Sequence, residues 1–592
     1  MMLHALIAYA ERENLGDADF EPVGVRWLIP LDAAGKLAGG PIPLAENPDE
    51  KKPRAKQFAR PFTSPNELNQ GTKSHFLCDT LERATLLLDA KAADKAPARH
   101  VQHDYFKALF TEATSSCPTE ARRLNAVLGF LNNADSVASL HRQLTEAKAK
   151  PSDNAAFAVD GFNLLDSEPL KQFWRDRRRR ASAGAARTQR ICIATGELAE
   201  TLDTTEKVKG VPGGLATGTN LISFDKDSFR SFGLEQAQNA ALSAPAELKV
   251  RSALNKLIEI SRNQKLVFND TVHLHWSHQP MEMDPLDPVV SGDPQLIEKL
   301  LTSVHRGQQI VGPDENANAY YCLSLSGNGA RIVVRDWLES TVEEVRNHVA
   351  EWFQDLALVP PEGAGMKRDF KFAALLYGTV RAELDELPPQ TPTQLFHGAL
   401  RGRSVPLPQS ALAAALRRQQ LDQENKLNPA RIALIKACLI RSPNSPNNNS
   451  RTKDTSMTEC LNPESRDPAY LCGRLFAVFD RLQELGLPGV NAGVVQRYYP
   501  SASTTPALVM GRLFRNAQFH LDKTEARLGG GTAENVRKDF EAITCALGDQ
   551  FPATLDLESQ GRFALGYYHQ KAEYRRRTAE RKEQQAQEAK TA

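Results

Sequence analysis

The side chains able to do chemistry fall in a few short stretches. His273-Leu274-His275-Trp276-Ser277-His278 carries three imidazoles. On a strand, an H-x-H pair places both rings on one face, and a third His can close a zinc site. No carboxylate lies within the cluster, so the expectation is no metal and a polar-faced strand ending in a packed Trp. His103-Asp104 has the look of a phosphohydrolase metal pair, but it sits in a segment patterned as a helix. Lys207-Val208-Lys209-Gly210-Val211-Pro212-Gly213-Gly214 joins two lysines to glycines that let a backbone approach a polyanion. A plain surface turn is the alternative. Arg175, Arg177, Arg178, Arg179 and Arg180, interrupted by Asp176, follow Phe173 and Trp174. Such a cluster suits a nucleic-acid backbone, and a solvated helix face is the alternative. Between Ser64 and Ser74 lie Asn66, Asn69, Gln70, Gly71, Thr72 and Lys73. Side-chain amides can read adenine in the major groove, and glycine permits close approach, so this loop is a candidate reader of DNA sequence, with Lys73 on a phosphate or at a wedge position. The chain has no Walker A motif, no G-x-G-x-x-G after a strand, no H-E-x-x-H and no G-x-S-x-G. No catalytic constellation stands out among these motifs, and no cofactor is expected.

Several elements must position these groups. Leu3, Leu6, Ile7 and Ala10 predict an amphipathic first helix, and Val23–Leu31 predicts a strand. Helices are predicted over Leu77–Leu88, Ala98–Thr114 and Glu120–Leu131. Tyr321–Leu325 and Arg331–Arg335 flank Ser326-Gly327-Asn328-Gly329, which predicts a hairpin. Ser340-Thr341-Val342-Glu343 then has the spacing of a capping box. Arg441–Met457 is rich in Ser, Pro and Asn and predicts a flexible linker. Beyond it, Asp467-Pro468 reads as a helix start, and Leu471, Leu475, Val478, Phe479 and Leu482 mark one helical face. From Lys571 the charged end is expected to fray. In the C-terminal segment Arg497, Arg512, Arg515 and Lys523 lie near Tyr498, Tyr499, Phe514 and Phe519. Basic grooves with stacking rings hold single strands, so these residues form a candidate strand path, and aromatics in the core are the alternative.

Composition sets the class. At 592 residues, several domains are expected. Hydrophobic residues at 41% and charged residues at 24% exclude wholesale disorder. Lys+Arg 73 nearly cancels Asp+Glu 72, so any polyanion site must be local. Eight scattered Cys with no C-x-x-C argue for a reduced, cytoplasmic setting, and no apolar run reaches the length of a membrane span. The expected fold class is α+β: a mixed, multi-lobed N-terminal body of antiparallel strands and helices, followed by an all-α C-terminal bundle. The expected division is 1–150, 151–440, a linker over 441–457, and 458–592.

Motifs in order now make a set. They are Cys192–Glu197, Lys209-Gly210-Val211, Leu221–Asp225, Ser231-Phe232-Gly233 with Gln238-Asn239-Ala240, and Leu325–Arg331 with Val334–Trp337. Pro429–Lys436, Gly473–Val478 and Gly566–Gln570 complete it. Across the chain this resembles the large subunit of the type I-C CRISPR surveillance complex. Two departures stand out: Thr204-Thr205-Glu206 precedes Lys207 where the family pattern has a His, and His273-Leu274-His275 replaces an apolar strand. The resemblance implies a non-catalytic subunit at the 5′-handle end of the guide RNA. It would read the protospacer-adjacent motif on double-stranded DNA and help open the duplex, as in other RNA-guided systems where pairing reads the remaining sequence. It also implies backbone and handle-binding partner subunits, separately made small subunits that the C-terminal domain resembles, and a recruited helicase-nuclease. A metal-dependent nuclease and a purely structural subunit are the alternatives.

Overall fold

The computed structural model describes residues 2–15, 17, 19–45, 55–63, 68, 71–88, 96–182, 189–224, 226–230, 232–306, 316–422, 424, 426–443, 457–490, 492–548 and 550–591. The chain forms two compact units, Met1–Lys207 with Ile222–Asn255, and Val208–Leu221 with Lys256–Ala592.

In the first unit, α1 (Met2–Arg12) buries Leu6, Ile7 and Ala10, as their spacing predicts. The strand expected over Val23–Leu31 is two strands serving different sheets. β1 (Phe20–Val25) and β2 (Trp27–Leu31) part at Arg26, whose amide donates to Asn154. There follow β3 (Ile42–Pro43), β4 (Lys56–Pro61), β5 (Cys78–Thr80), α2 (Leu81–Ala84), α3 (Ala96–Ser116), α4 (Ala121–Leu131), α5 (Ala134–Glu146), β6 (Asn154–Val159), β7 (Phe162–Asn163) and α6 (Glu168–Ser182). The hairpin β8 (Gln189–Ile191) and β9 (Leu198–Glu200) comes next. β1 pairs with β4, while β3-β2-β6-β5 forms a larger sheet in which β2 and β6 run parallel. The segment read as a helix over Leu77–Leu88 is instead β5 and one helical turn. Leu77 takes a φ of 63°, which a helix cannot continue through, and Cys78–Thr80 pairs with β6. β6 is buried on both faces from Ala155 onward, the mark of a central strand. Residues on both sides of position 150 thus share one sheet and one core. Phe76, Phe106, Phe110, Phe157, Phe173 and Trp174 fill that core, with Phe76 stacked on Trp174 at 5.5 Å.

α7 (Ala244–Asn263) runs from the first unit into the second. There β10 (Val267–Phe268), β11 (Thr271–Ser277), β12 (Ala319–Asn328) and β13 (Arg331–Thr341) form an antiparallel sheet in that order. α8 (Asp287–Ser291) and α9 (Pro294–Arg306) lie between β11 and β12 in sequence. The expected hairpin is present but longer. Ser326, Gly327 and Asn328 pair across to β13, and the turn shrinks to Gly329-Ala330. The capping box sits one residue later than read: Thr341 Oγ1 accepts from Glu344 N at 3.2 Å, and Glu344 Oε2 from Thr341 N at 3.3 Å. It opens α10 (Val342–Leu356).

From there the described chain is helical: α11 (Phe372–Tyr377), α12 (Gln390–Arg401), α13 (Gln409–Leu421), α14 (Pro429–Ile440), α15 (Pro468–Gly486), α16 (Val494–Thr504), α17 (Pro506–Leu528), α18 (Gly530–Leu547) and α19 (Leu557–Thr591). The architecture is therefore a mixed N-terminal region with several sheets, then a long all-α stretch. Asp467 caps α15 by accepting from Tyr470 N at 2.8 Å. Two expectations are corrected. Arg441, read as the start of a linker, is 1% exposed and is a core residue. Lys571, read as the start of a frayed tail, is buried on α19 and donates to Asp480 at 2.7 Å and Glu484 at 2.6 Å. In each case a single long cation is taken inside by a carboxylate that composition does not reveal.

The knot at Arg441 ties three helices. Asp355, fully buried near the end of α10, accepts from Arg441 Nε at 2.7 Å and from Arg403 Nε and Nη2 at 2.9 and 2.7 Å. Arg441 Nη1 also donates to the carbonyls of Gly398 and Gly402, and its guanidinium lies 5.4 Å from the Trp352 ring. Lys436 Nζ donates to the Asp355 carbonyl at 2.7 Å. Removing one partner of a buried ion pair leaves an uncompensated charge and costs about 3–5 kcal/mol. Asp355→Ala should therefore destabilise the full chain by about that amount in urea titration. A loss below about 1 kcal/mol, the scale of a surface pair, would contradict this account.

Candidate nucleic-acid interface

Of the loop from Ser64 to Ser74, Asn66, Asn69 and Gln70 lie outside the described residues. Gly71 takes a φ of 77°, and its amide donates to Leu68 O at 3.1 Å. Among the described residues nothing lies within 4 Å of a Cβ placed there, and the positive φ is what calls for glycine. Thr72 is exposed and Lys73 half-buried. Glu21 on β1 braces the root of the loop. Its Oε1 accepts from Arg60 Nη2 at 2.6 Å and lies 3.7 Å from His75 Nδ1. Burial, reinforced by Arg60 and opposed by Asp79 and Glu21, lowers the His75 pKa to about 4. His75 is thus a neutral ring at neutral pH. Nothing in the local sequence links residue 21 to residue 60, and the β1–β4 register, with Glu21 opposite Arg60, makes that link.

The arginine run on α6 is largely spent inside its own unit. Arg175 donates to Asp17 at 2.7 Å, Arg177 Nε to both Glu112 oxygens at 3.1 and 2.9 Å, and Arg178 to the Phe62 carbonyl at 3.2 Å. Arg178 also lies 3.2 Å from Asp19. Phe173 and Trp174, read as companions of a phosphate site, are core residues. Arg179 and Arg180 are the exposed members, though Arg179 reaches Asp176 at 3.2 Å and Arg180 Nε donates to the Asp176 carbonyl at 3.3 Å.

The glycine-rich loop also has an internal use. Lys207 and Lys209 are both exposed, Lys207 in the first unit and Lys209 in the second. Gly213 and Gly214 lie against the backbone of Gly327 at the β12–β13 end, where a Cβ on Gly327 would come within 2.2 Å of Gly214 N. Gly327 N donates to Pro212 O at 2.7 Å, and Asn220 N to Ala330 O at 2.8 Å. The small residues permit one protein backbone to pack on another.

The C-terminal candidates divide. Tyr499 is buried and receives a hydrogen bond from Gln419 at 3.1 Å, and Phe514 packs among Phe479, Phe540 and Phe551. Tyr498 also packs on that core. These three rings are structural. Arg497, Arg512, Arg515, Phe519 and Lys523 are exposed. On α17, Leu508, Arg512, Arg515, Phe519 and Lys523 recur at helical spacing and form one outward stripe, with Lys523 Nζ 5.6 Å from the Phe519 ring. Among the described residues, no ion pair engages Arg497, Arg512, Arg515 or Lys523.

The histidines bond to neighbours within their own unit. His275 Nδ1 lies 2.9 Å from Asp284 Oδ2 and Nε2 3.0 Å from Gln264 Oε1, while Tyr320 OH donates to Asp284 Oδ1 at 2.8 Å. His273 Nδ1 is 2.8 Å from Ser324 Oγ, which is 2.9 Å from His397 Nε2. His397 Nδ1 is 3.3 Å from Asp336, itself held by Arg401 at 2.6 Å. Ser324, His397 and Asp336 have the order of a hydrolase triad. Ser324 is completely buried, however, so the arrangement is a polar relay inside the core. Sequence reading missed it because its members are far apart in the chain. His103 is buried and bonds the Arg83 carbonyl at 3.0 Å, while Asp104 is exposed. Among the described residues, no group of three or more His, Cys, Asp or Glu is placed to hold a metal ion, and no helix is long and apolar enough to cross a membrane.

With this geometry in view, the chain can be assigned to the CRISPR-associated proteins. It matches the family of CRISPR-associated protein Cas_Csd1 over residues 6–575, and it belongs to that family, the type I-C large subunits. No curated protein matches the chain.

The relay makes the second unit sensitive to acid. Burial, opposed by Asp336 and aided by Arg401, lowers the His397 pKa to about 4, and burial, aided by His397 and His275, also holds His273 well below the ordinary value. An unfolded His titrates near 6.5, so below that pH the unfolded chain binds more protons. The stability that neutral His397 confers is full above about pH 6.5 and is lost as pH falls toward about 4, and His273 acts in the same direction. His275 acts oppositely: burial lowers it, but Asp284 raises it on balance, so its contribution fades as pH rises through the folded value. Urea midpoints should fall steadily between about pH 6.5 and about pH 4.5, and less steeply in His397→Gln. Equal slopes in both proteins would remove His397 from the acid response.

Proposed function

We propose that this chain reads the protospacer-adjacent motif on double-stranded DNA and helps open the duplex for guide-RNA pairing, without catalysing a reaction itself. The observation that carries the reading is the contrast between two sets of cations. Those on α6 are mostly neutralised by carboxylates of their own unit. Those on α17 face solvent with no ion pair among the described residues, beside an exposed aromatic ring. Unpaired cations with a stacking ring are what a single strand requires. In this reading Arg497, Arg512, Arg515, Phe519 and Lys523 hold the displaced strand, and the C-terminal helices act as a small subunit does. The loop ending at Gly71, Thr72 and Lys73, rooted on Glu21, contacts the motif. Arg179 and Arg180, with Lys207 and Lys209, contact backbone phosphates of guide RNA or target DNA. Family membership supports assembly with other subunits in one complex, and this reading adds the 5′-handle end of the guide RNA and a recruited helicase-nuclease as partners.

Charge reversal at Arg512 and Arg515 should reduce stable opening of the target duplex by the assembled complex, read by permanganate footprinting. Initial motif-dependent binding should persist, and the salt slope of strand binding should fall by roughly 0.7 for each phosphate no longer engaged. Loss of both steps together would instead make these residues part of assembly. Asn69→Ala with Gln70→Ala should cost about 1–3 kcal/mol of preference for motif over non-motif duplex for each base no longer read, measured by competition binding. An unchanged preference would exclude the loop as the reader.

A further inference from the structure

The β8–β9 hairpin is built with its exposure inverted. Ile191 and Leu198 are cross-strand partners, and they are 66% and 67% exposed, with Ile193 43% exposed two residues on. The opposite face carries smaller groups, Cys192, Ala194 and Thr201, and these are buried. That inner face is fastened to the segment before α7. Ile193 N donates to Ala241 O and Leu202 N to Leu242 O, each at 2.9 Å, and Ser243 N donates to Cys192 Sγ at 3.5 Å. The tip is closed by Gly196, whose φ of 76° suits glycine and whose amide donates to Cys192 O at 2.8 Å. The hairpin is thus a fixed projection whose large aliphatic side chains contribute nothing to the core behind it. In the same unit Phe232 is 89% exposed, next to Gly233 with a φ of 67°.

We infer that this hairpin is a docking knob for another protein subunit of the complex, one that offers an apolar cleft with a basic rim. Charge selects this occupant. The outward face reads Gln189, Ile191, Ile193, Leu198 and Glu200, and its only formal charge is acidic. Glu197 at the tip and Asp203 just after β9 are also exposed. Arg190, the one cation of the hairpin, belongs to the inner face and donates to the Gln238 carbonyl at 3.4 Å. A polyanion would be repelled by this surface, and so would an anionic bilayer. Aliphatic anchors that fill a partner's pocket, ringed by charges of one sign, suit a protein cleft of the opposite sign. Family membership supplies the setting, because a large subunit works within a multi-subunit complex. The inference does not depend on the DNA-reading role proposed above.

The test uses the full chain and the complex assembled from its purified subunits. Ile191→Asp with Leu198→Asp should leave the melting temperature of the free chain unchanged, because both side chains already face water. The same variant should weaken incorporation into the complex by about tenfold or more, read by titration into the remaining subunits. Ile191→Leu with Leu198→Ile should restore incorporation. Amide exchange over residues 189–200 should slow on assembly of the unaltered complex. Unchanged incorporation together with unprotected amides would overturn the inference. So would a concentration-dependent dimer of the free chain that the Asp variant abolishes, since the occupant would then be a second copy. A loss of DNA binding with assembly intact would make the hairpin a nucleic-acid surface and would equally overturn it.

Discussion

A carboxylate sealed away from water must be surrounded by donors, and in the second unit Asp355 imposes that demand on three helices at once. It lies near the C-terminal end of α10 and is met by Arg441, directly after α14, and by Arg403, just after α12. Arg441 in turn holds the carbonyls of Gly398 and Gly402, which would otherwise be buried acceptors at a helix end. The arrangement fixes where α12 and α14 stop. The C-terminal helices return to the same core, since Tyr470, Leu565 and Tyr568 pack with residues of α10 and α14, and Tyr568 OH donates to the Val359 carbonyl at 2.8 Å. The bundle is therefore continuous with the body of its unit.

Cations are used in two ways. Arg175, Arg177 and Arg178 hold α6 to the strands and helix around it, and rings of Phe20, Trp174 and Phe62 lie 5.0–5.3 Å from their guanidinium carbons. Arg431, Lys426 and Lys571 are similarly internal, and burial, opposed by Asp422, lowers the Lys426 pKa to about 8. What remains at the surface of α17 is a short basic stripe on a chain of nearly zero net charge. A near-neutral protein can thus present a local field to a polyanion while its acidic surfaces stay available to proteins.

Glycine shows a comparable division. At Gly71 it serves a left-handed turn, with no described residue within 4 Å of where a Cβ would sit. At Gly213, Gly214 and Gly327 it lets two stretches of one chain come into backbone contact. The same residue type thus has two uses, one set by its own backbone conformation and the other by the strand packed against it.

The order and type of most elements follow from local spacing: the first helix, the hairpin, the capped α10, the Asp467 start of α15 and the apolar face of that helix. Each depends on neighbours within a few residues, where propensity, capping and periodicity act. The mixed body followed by an all-helical region is legible for the same reason. Local spacing could not reveal that Arg441 and Lys571 are inside, that Tyr499 and Phe514 are core, or that most of the arginine run is paired. Nor could it reveal that Ser324, His397 and Asp336 meet. Those outcomes depend on partners tens to hundreds of residues away. A charged or aromatic side chain looks the same in sequence whether it ends in water or against a distant carboxylate. Only the tertiary structure decides which, because the cost of burying it depends on what the fold brings to meet it.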